Sequence, residues 1–147
     1  MLTEYERNLF GEPYADIEGR LRTDTSLSRA LDTLTERYGD ERLAVTDLAR
    51  AAGLSATVLR DRFRRLAGIT PRRFIVRYRI NKSLRMLYLR QNSVSEIAQR
   101  VGFSNVSGLE KCFRSAFGES PGAIRRSLKA DSTKEKPQIP RKSVDLE

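Results

Sequence analysis

Two stretches of this chain carry hydrogen-bonding side chains at helical intervals. Thr57, Arg60, Asp61 and Arg64 recur at three- and four-residue steps, and so do Ser107, Glu110, Lys111 and Arg114. On an α-helix such steps stack side chains along one face. The chemistry this pattern supports is recognition of base edges. Arg60 can donate bidentately to guanine O6 and N7, and Lys111 can donate to the same edge. Asp61 and Glu110 can accept from cytosine N4, orient a neighbouring arginine, or repel a wrong base. Thr57 and Ser107 can touch a base or a thymine methyl group. These six residues are expected to read bases. Ser55, Arg62, Arg64, Arg65, Arg79, Ser104, Asn105 and Arg114 are expected to meet phosphate, which positions a protein on the duplex without reading sequence.

The elements that must hold these residues come from an internal repeat. Asp47-Leu48-Ala49-Arg50-Ala51-Ala52-Gly53-Leu54-Ser55 aligns with Glu96-Ile97-Ala98-Gln99-Arg100-Val101-Gly102-Phe103-Ser104. Further on, Leu59, Phe63, Arg64, Gly68 and Pro71 align with Leu109, Phe113, Arg114, Gly118 and Pro121, one residue later in the second copy. Each copy reads as helix, glycine turn, helix. Val45, Leu48, Ala49 and Ala52 have helical spacing, Gly53 ends the helix, and Ser55 caps the next. Val94, Ile97, Ala98 and Val101 repeat the pattern, followed by Gly102 and a cap at Ser104 or Asn105. A small residue at the helix crossing, a glycine in the turn and an aliphatic residue beyond it are the requirements of a helix-turn-helix. Within each second helix, Leu59, Phe63, Leu66 and Ala67, and Leu109, Cys112, Phe113 and Ala116, are expected to face inward. Cys112 reads as a buried core thiol.

A helix from Leu27 to about Tyr38 precedes the first unit, and one from Pro71 to about Arg90 joins the two. A connector of that length rises about 30 Å, close to the ~34 Å between successive major grooves on one face of B-DNA. The expected fold class is therefore all-α, with two helix-turn-helix subdomains on a long central helix and about seven helices in total. The expected organisation is a leader or packed arm over 1–26, a first subdomain over 27–70, the connecting helix over 71–91, a second subdomain over 92–130, and a disordered tail over 131–147.

Charge agrees with a polyanionic partner. The 147-residue chain has 28 Lys and Arg against 19 Asp and Glu, a net charge of +9. Residues 26–130 alone carry 21 basic and 9 acidic groups, whereas residues 1–25 carry 3 and 6. A segment this basic attracts polyanions at long range. Histidine is absent, which removes the commonest general base and zinc ligand, and no phosphate-binding glycine loop is present. No enzyme activity, cofactor, metal or small-molecule ligand is expected. No apolar run approaches the ~20 residues of a membrane span. With a single cysteine, the expected location is the bacterial cytoplasm, with the nucleoid. An enzyme-associated DNA module and a protein-interaction module with a basic surface are the alternative readings.

Over roughly residues 27–127 the sequence resembles the DNA-binding domain of the AraC/XylS family. The resemblance rests on Leu48-Ala49 to Gly53-Leu54-Ser55, Leu59 to Phe63-Arg64, Gly68-Ile69-Thr70-Pro71 and Arg79-Ile80 to Met86-Leu87. Its most specific part is Ile97-Ala98 to Val101-Gly102-Phe103-Ser104, continued by Phe113-Arg114, Phe117-Gly118 and Ser120-Pro121. It implies seven helices, monomeric binding to two adjacent major grooves, contact with RNA polymerase, and usually transcriptional activation; two unlike units in one chain lead to the expectation of an asymmetric promoter site. Asp61 stands where members often carry a bulky or basic residue. Gly108 offers no side chain in the second reading helix, and Ala44 is a poor cap. Residues 1–26 cannot form the separate sensor domain that many members carry. The expectation is either a small sensor-less regulator or the C-terminal domain of a larger one.

Overall fold

The computed structural model describes residues 2–131, and among these it contains nine α-helices and no strand. They are α1 (Leu2–Phe10), α2 (Tyr14–Arg22), α3 (Thr25–Arg37), α4 (Val45–Ala52), α5 (Ala56–Ala67), α6 (Pro71–Leu89), α7 (Val94–Arg100), α8 (Val106–Phe117) and α9 (Pro121–Asp131). The all-α, two-unit architecture is as expected. The count exceeds the expected seven because residues 2–22 form two helices. Except for Asp131, which ends α9, the segment expected to be a disordered tail lies outside the described residues.

Local chemistry sets most helix starts. The Asp24 carboxylate accepts from Leu27 N at 3.1 Å and begins α3. Thr70 Oγ1 accepts from Arg73 N, and Pro71 occupies the first turn of α6, where a missing N–H costs nothing. Ser93 and Glu96 exchange side-chain and backbone bonds of 3.1 and 2.8 Å in a capping box at α7. At Ala44 no side chain can cap α4, but Asp47 reaches back to Ala44 N at 2.9 Å.

Helix α6 is the centre of the molecule. Phe74, Ile75, Tyr78, Ile80, Leu84 and Leu87 are buried along it, and α1, α5, α7, α8 and α9 pack on it. Apolar residues therefore run around α6 instead of forming one stripe. Phe74 meets Phe63 of α5 edge-on, with ring centroids 4.9 Å apart, a geometry that aromatic quadrupoles favour. Residues 2–22 are a packed arm. Tyr5, Leu9, Phe10, Ile17 and Leu21 are buried; α1 lies on α6 and α8, and α2 lies on α3 and α5.

The two units also touch directly. The loop after α3 meets the turn after α7 through two glycines. A Cβ on Gly39 would come within 2.6 Å of the Arg100 carbonyl oxygen, and one on Gly102 within 2.5 Å of the Tyr38 carbonyl oxygen. Arg79 of α6 fastens this joint. Its Nε donates to the Tyr38 carbonyl at 2.9 Å and its Nη2 to the Asp40 carbonyl at 2.7 Å.

The repeat supplies its own control for this joint. Gly53 and Gly102 are equivalent turn glycines with φ of 70° and 97°, but a Cβ on Gly53 meets open space. Gly53→Ala is expected to cost about 1–2 kcal/mol from the left-handed backbone alone. Gly102→Ala is expected to cost about 1–3 kcal/mol more, from overpacking against the Tyr38 carbonyl and the Arg79 side chain. Urea unfolding midpoints of the two variants measure the difference, and equal losses would show that the Gly102 joint adds nothing to stability.

Candidate nucleic-acid interface

The two helix-turn-helix units repeat one another bond for bond at the turn. In the first, Leu54 N donates to the Ala49 carbonyl at 3.0 Å; in the second, Phe103 N donates to the Ala98 carbonyl at 2.9 Å. Ala49 and Ala98 are buried where the paired helices cross, and Leu59 and Leu109 are fully buried beneath the second helices. Small side chains at the crossing permit the close approach that the tight turn demands.

Caps then aim the second helices. Ser55 Oγ accepts from Val58 N at 3.2 Å, and Asn105 Oδ1 accepts from Gly108 N at 2.9 Å. Of the two candidates for the second cap, Asn105 is the one used, and Ser104 is left exposed in the turn. Gly108 lies in the first turn of α8, where a Cβ would make only ordinary contact with the Phe103 ring, at 3.4 Å.

Most of the expected reading residues stand on open faces. Thr57, Arg60 and Asp61 are exposed on α5, as are Ser107 and Lys111 on α8, while Glu110 is half-buried. Arg64, Arg65 and Arg114 are exposed further along the same helices. Among the described residues no ion pair engages Arg60, Asp61, Arg64, Arg65, Lys111 or Arg114. Cations left unpaired in this way remain available to a polyanion. Cys112 is half-buried on the inner flank of α8, and burial pushes its thiol pKa up, so it is a packing group.

Of the residues expected to meet phosphate, Arg79 is placed elsewhere and Arg62 is partly engaged within the protein. Arg79 is 9% exposed and committed to the Tyr38 and Asp40 carbonyls, so it is a structural clasp. Burial pulls its pKa down, opposed by Asp40 and Glu41. Arg62 lies about 140° around α5 from Thr57 at 100° per residue. There it pairs with Asp24 at 3.6 Å, the carboxylate that also caps α3. Conversely, the fold brings forward a cation that the sequence reading missed. Arg42, with a side chain 90% exposed and its Nε 3.8 Å from the Asp40 carboxylate, lines a groove with Asp40, Glu41, Gln99, Phe103 and Ser104, beside the turn into α8. No local pattern marks it, because its neighbour there is remote in sequence.

Two capped helices with open polar faces, each seated in a helix-turn-helix on one shared central helix, define the two-unit class of DNA-binding transcription regulators. A family described as "Helix-turn-helix domain" matches residues 48–127. The transcriptional activator NphR of Rhodococcus sp is 29% identical over 126 residues, 86% of this chain and 36% of that protein. The HTH-type transcriptional activator RhaS of Salmonella schwarzengrund is 31% identical over 114 residues, 78% of this chain and 41% of that protein. This chain thus spans well under half the length of these relatives. The DNA-binding domain of AdpA, solved in complex with a target DNA, is 29% identical and superposes with a TM-score of 0.67 over 73% of this chain and 96% of that one. An AraC-type regulator from Chromobacterium violaceum shares the fold at 23% identity, with a TM-score of 0.66 over 72% and 94% of the two chains. The chain belongs to the AraC/XylS family.

Among the described residues no helix is long and apolar enough to cross a membrane. The revised placement of Arg79 is open to measurement. Arg79→Ala leaves two carbonyls of the joint unpaired and is expected to cost about 2–4 kcal/mol of stability. Arg64→Ala, on the open face of α5, is expected to stay within about 0.5 kcal/mol of the parent. Thermal or urea unfolding of the two variants side by side decides between clasp and surface group for Arg79.

Proposed function

We propose that this chain binds an asymmetric double-stranded promoter site as a monomer, with α5 and α8 in successive major grooves, and that it activates transcription there through RNA polymerase. The observation that carries the reading is the pair of exposed, unpaired polar faces on capped helices held by one connector. Helix α6 has 19 residues and rises about 28 Å. That approaches the ~34 Å repeat of the major groove, with bending of the DNA supplying the remainder. Activation is supported by the names of the relatives NphR and RhaS, both described as activators. The solved complex of the AdpA domain with DNA supports the duplex as ligand.

In this reading Thr57, Arg60 and Asp61 face one half of the site and Ser107, Glu110 and Lys111 the other. Arg64, Arg65, Arg114, Ser104 and Arg42 meet phosphates. Ser55 and Asn105, already used as caps, keep the N-terminal amides of α5 and α8 directed at the backbone, where the helix dipole favours an anion. The two edges carry different side chains, so the two half-sites differ.

Selection of bound duplexes from a random pool tests the proposal as a whole. The expected product is one asymmetric site with two unlike halves about one helical turn apart. A palindrome, or no preferred duplex, overturns it. Affinity is expected to fall with salt by about 0.9 log units per log unit for each phosphate neutralised. Arg60→Ala and Lys111→Ala are each expected to cost about 1–3 kcal/mol and to relax preference at one position, in opposite halves of the selected site. A loss that is uniform across all sequences would move either residue to the phosphate group. In a reconstituted transcription assay, output from a promoter bearing the selected site should rise as protein is added.

A further inference from the structure

The N-terminal helix pair lies outside residues 48–127, which carry the family match, yet it touches both reading helices. Its contacts fall on equivalent points of the two units. Arg20 of α2 donates through Nε to the Leu66 carbonyl at 2.8 Å, in the last turn of α5. Asn8 of α1 donates through Nδ2 to the Ala116 carbonyl at 3.4 Å, in the last turn of α8. Tyr5 of α1 adds an edge-on contact with Phe117, ring centroids 5.3 Å apart. Both helices are thus held by their C-terminal ends, from the same pair of elements.

The pair is also tied to itself and to α6. Glu6 accepts from Tyr14 N at 3.1 Å and from Asn81 Nδ2 at 3.3 Å, joining α1, α2 and the connector. Arg77 of α6 donates to the Leu9 carbonyl at 3.1 Å. Glu12 grips the Arg20 guanidinium with two bonds of 2.8 and 2.6 Å and fixes the direction of its Nε. Phe10 and Tyr14 pack at tilted angles beside Phe74 in the central core. A flexible leader would have none of these reciprocal bonds.

We propose that α1 and α2 form a brace that sets the pose of one reading helix relative to the other, and that this brace fixes the spacing of half-sites the chain accepts. The inference rests on the two-groove reading above. When two binding elements are joined, the second binding event depends on how narrowly the joint confines it to the right place. A stiff joint favours one spacing strongly, and a slack joint accepts neighbouring spacings more evenly. Arg20, Asn8 and Glu12 act in this scheme as positioning residues, since their bonds are to the protein itself.

The test measures binding to the selected site, to versions with one or two base pairs added or removed between its halves, and to each half alone. Three proteins are compared: the parent, an Asn8→Ala/Arg20→Gln double variant, and a chain with Gly-Ser-Gly inserted between Gly11 and Glu12. Gly11 is exposed, and a Cβ there meets nothing, so the insertion slackens the link between α1 and α2 while α1 keeps its packing on α6 and α8 and α2 its packing on α3 and α5. Circular dichroism confirms that the variants are folded.

The parent is expected to lose about ten-fold or more in affinity on mis-spaced sites. In the variants that penalty is expected to shrink to about three-fold or less, with half-site affinity unchanged. A destabilised but uncoupled fold would weaken every duplex alike and leave the spacing penalty intact. Parent-level discrimination in both folded variants overturns the brace while leaving the two-groove reading in place. Failure of the parent itself to prefer any duplex overturns both.

Discussion

A helix buried on several sides cannot bend without opening every interface it serves. Helix α6 is in that position. Its Phe74 meets Phe63 of α5, its Leu84 and Leu87 are fully buried, and α7, α8 and α9 of the second half pack on the same helix. Flexing the connector would expose aromatic and aliphatic surface in both units at once, at roughly 25 cal/mol for each Å² uncovered. The stiffness of the connector is therefore a consequence of core packing. The Arg79 clasp adds a directional element. Its fork reaches two carbonyls of one loop, which a lysine ammonium on a flexible stem would hold less rigidly.

The repeat is faithful where the backbone demands it and diverges elsewhere. Both turns use glycine at positive φ, an alanine at the helix crossing, and an amide bonded back to that alanine. The surroundings differ. The Gly53 turn faces open space, while the Gly102 turn is pressed against the Tyr38 carbonyl. One reading helix is capped by Ser55 and the other by Asn105. The first helix of unit one starts at Ala44 without a side-chain cap, and that of unit two has a full Ser93–Glu96 capping box. Two copies of one scaffold thus present unlike edges from unlike settings.

What the sequence disclosed follows the range of the interactions concerned. Glycine turns, caps and inward stripes rest on bonds spanning three to five residues, and the repeat displayed each of them twice. Helix α3 began within two residues of its expected start because Asp24 and Leu27 are neighbours in the chain. Residues 2–22 stayed open between arm and leader. No copy of this pair recurs in the chain to corroborate it, and its apolar side chains are explained by the distant surfaces of α5, α6 and α8. The clasp role of Arg79 and the ion pair of Arg62 were hidden for the same reason. An arginine in a basic segment looks solvated until its partner is known. Arg79's acceptors lie 39 and 41 residues away, and Arg62's carboxylate precedes it by more than two helices.

Charge segregation has a structural logic once the arm is in place. The acidic N-terminal segment packs at the C-terminal ends of α5 and α8, whereas Thr57 and Ser107 mark the opposite ends. Carboxylates beside helix C-termini are unfavourable, because those ends carry unsatisfied carbonyls and the negative pole of the dipole. The arm meets them with donors instead. Arg20 and Asn8 supply the bonds to Leu66 and Ala116, while Glu12 is turned onto Arg20 and Glu6 onto Tyr14 N and Asn81. The same arrangement keeps these acids away from the N-terminal turns of α5 and α8. A carboxylate placed there would compete for the amides and cations that a phosphate needs. Bracing both helices from their far ends lets an acidic arm stabilise the scaffold without screening the basic face.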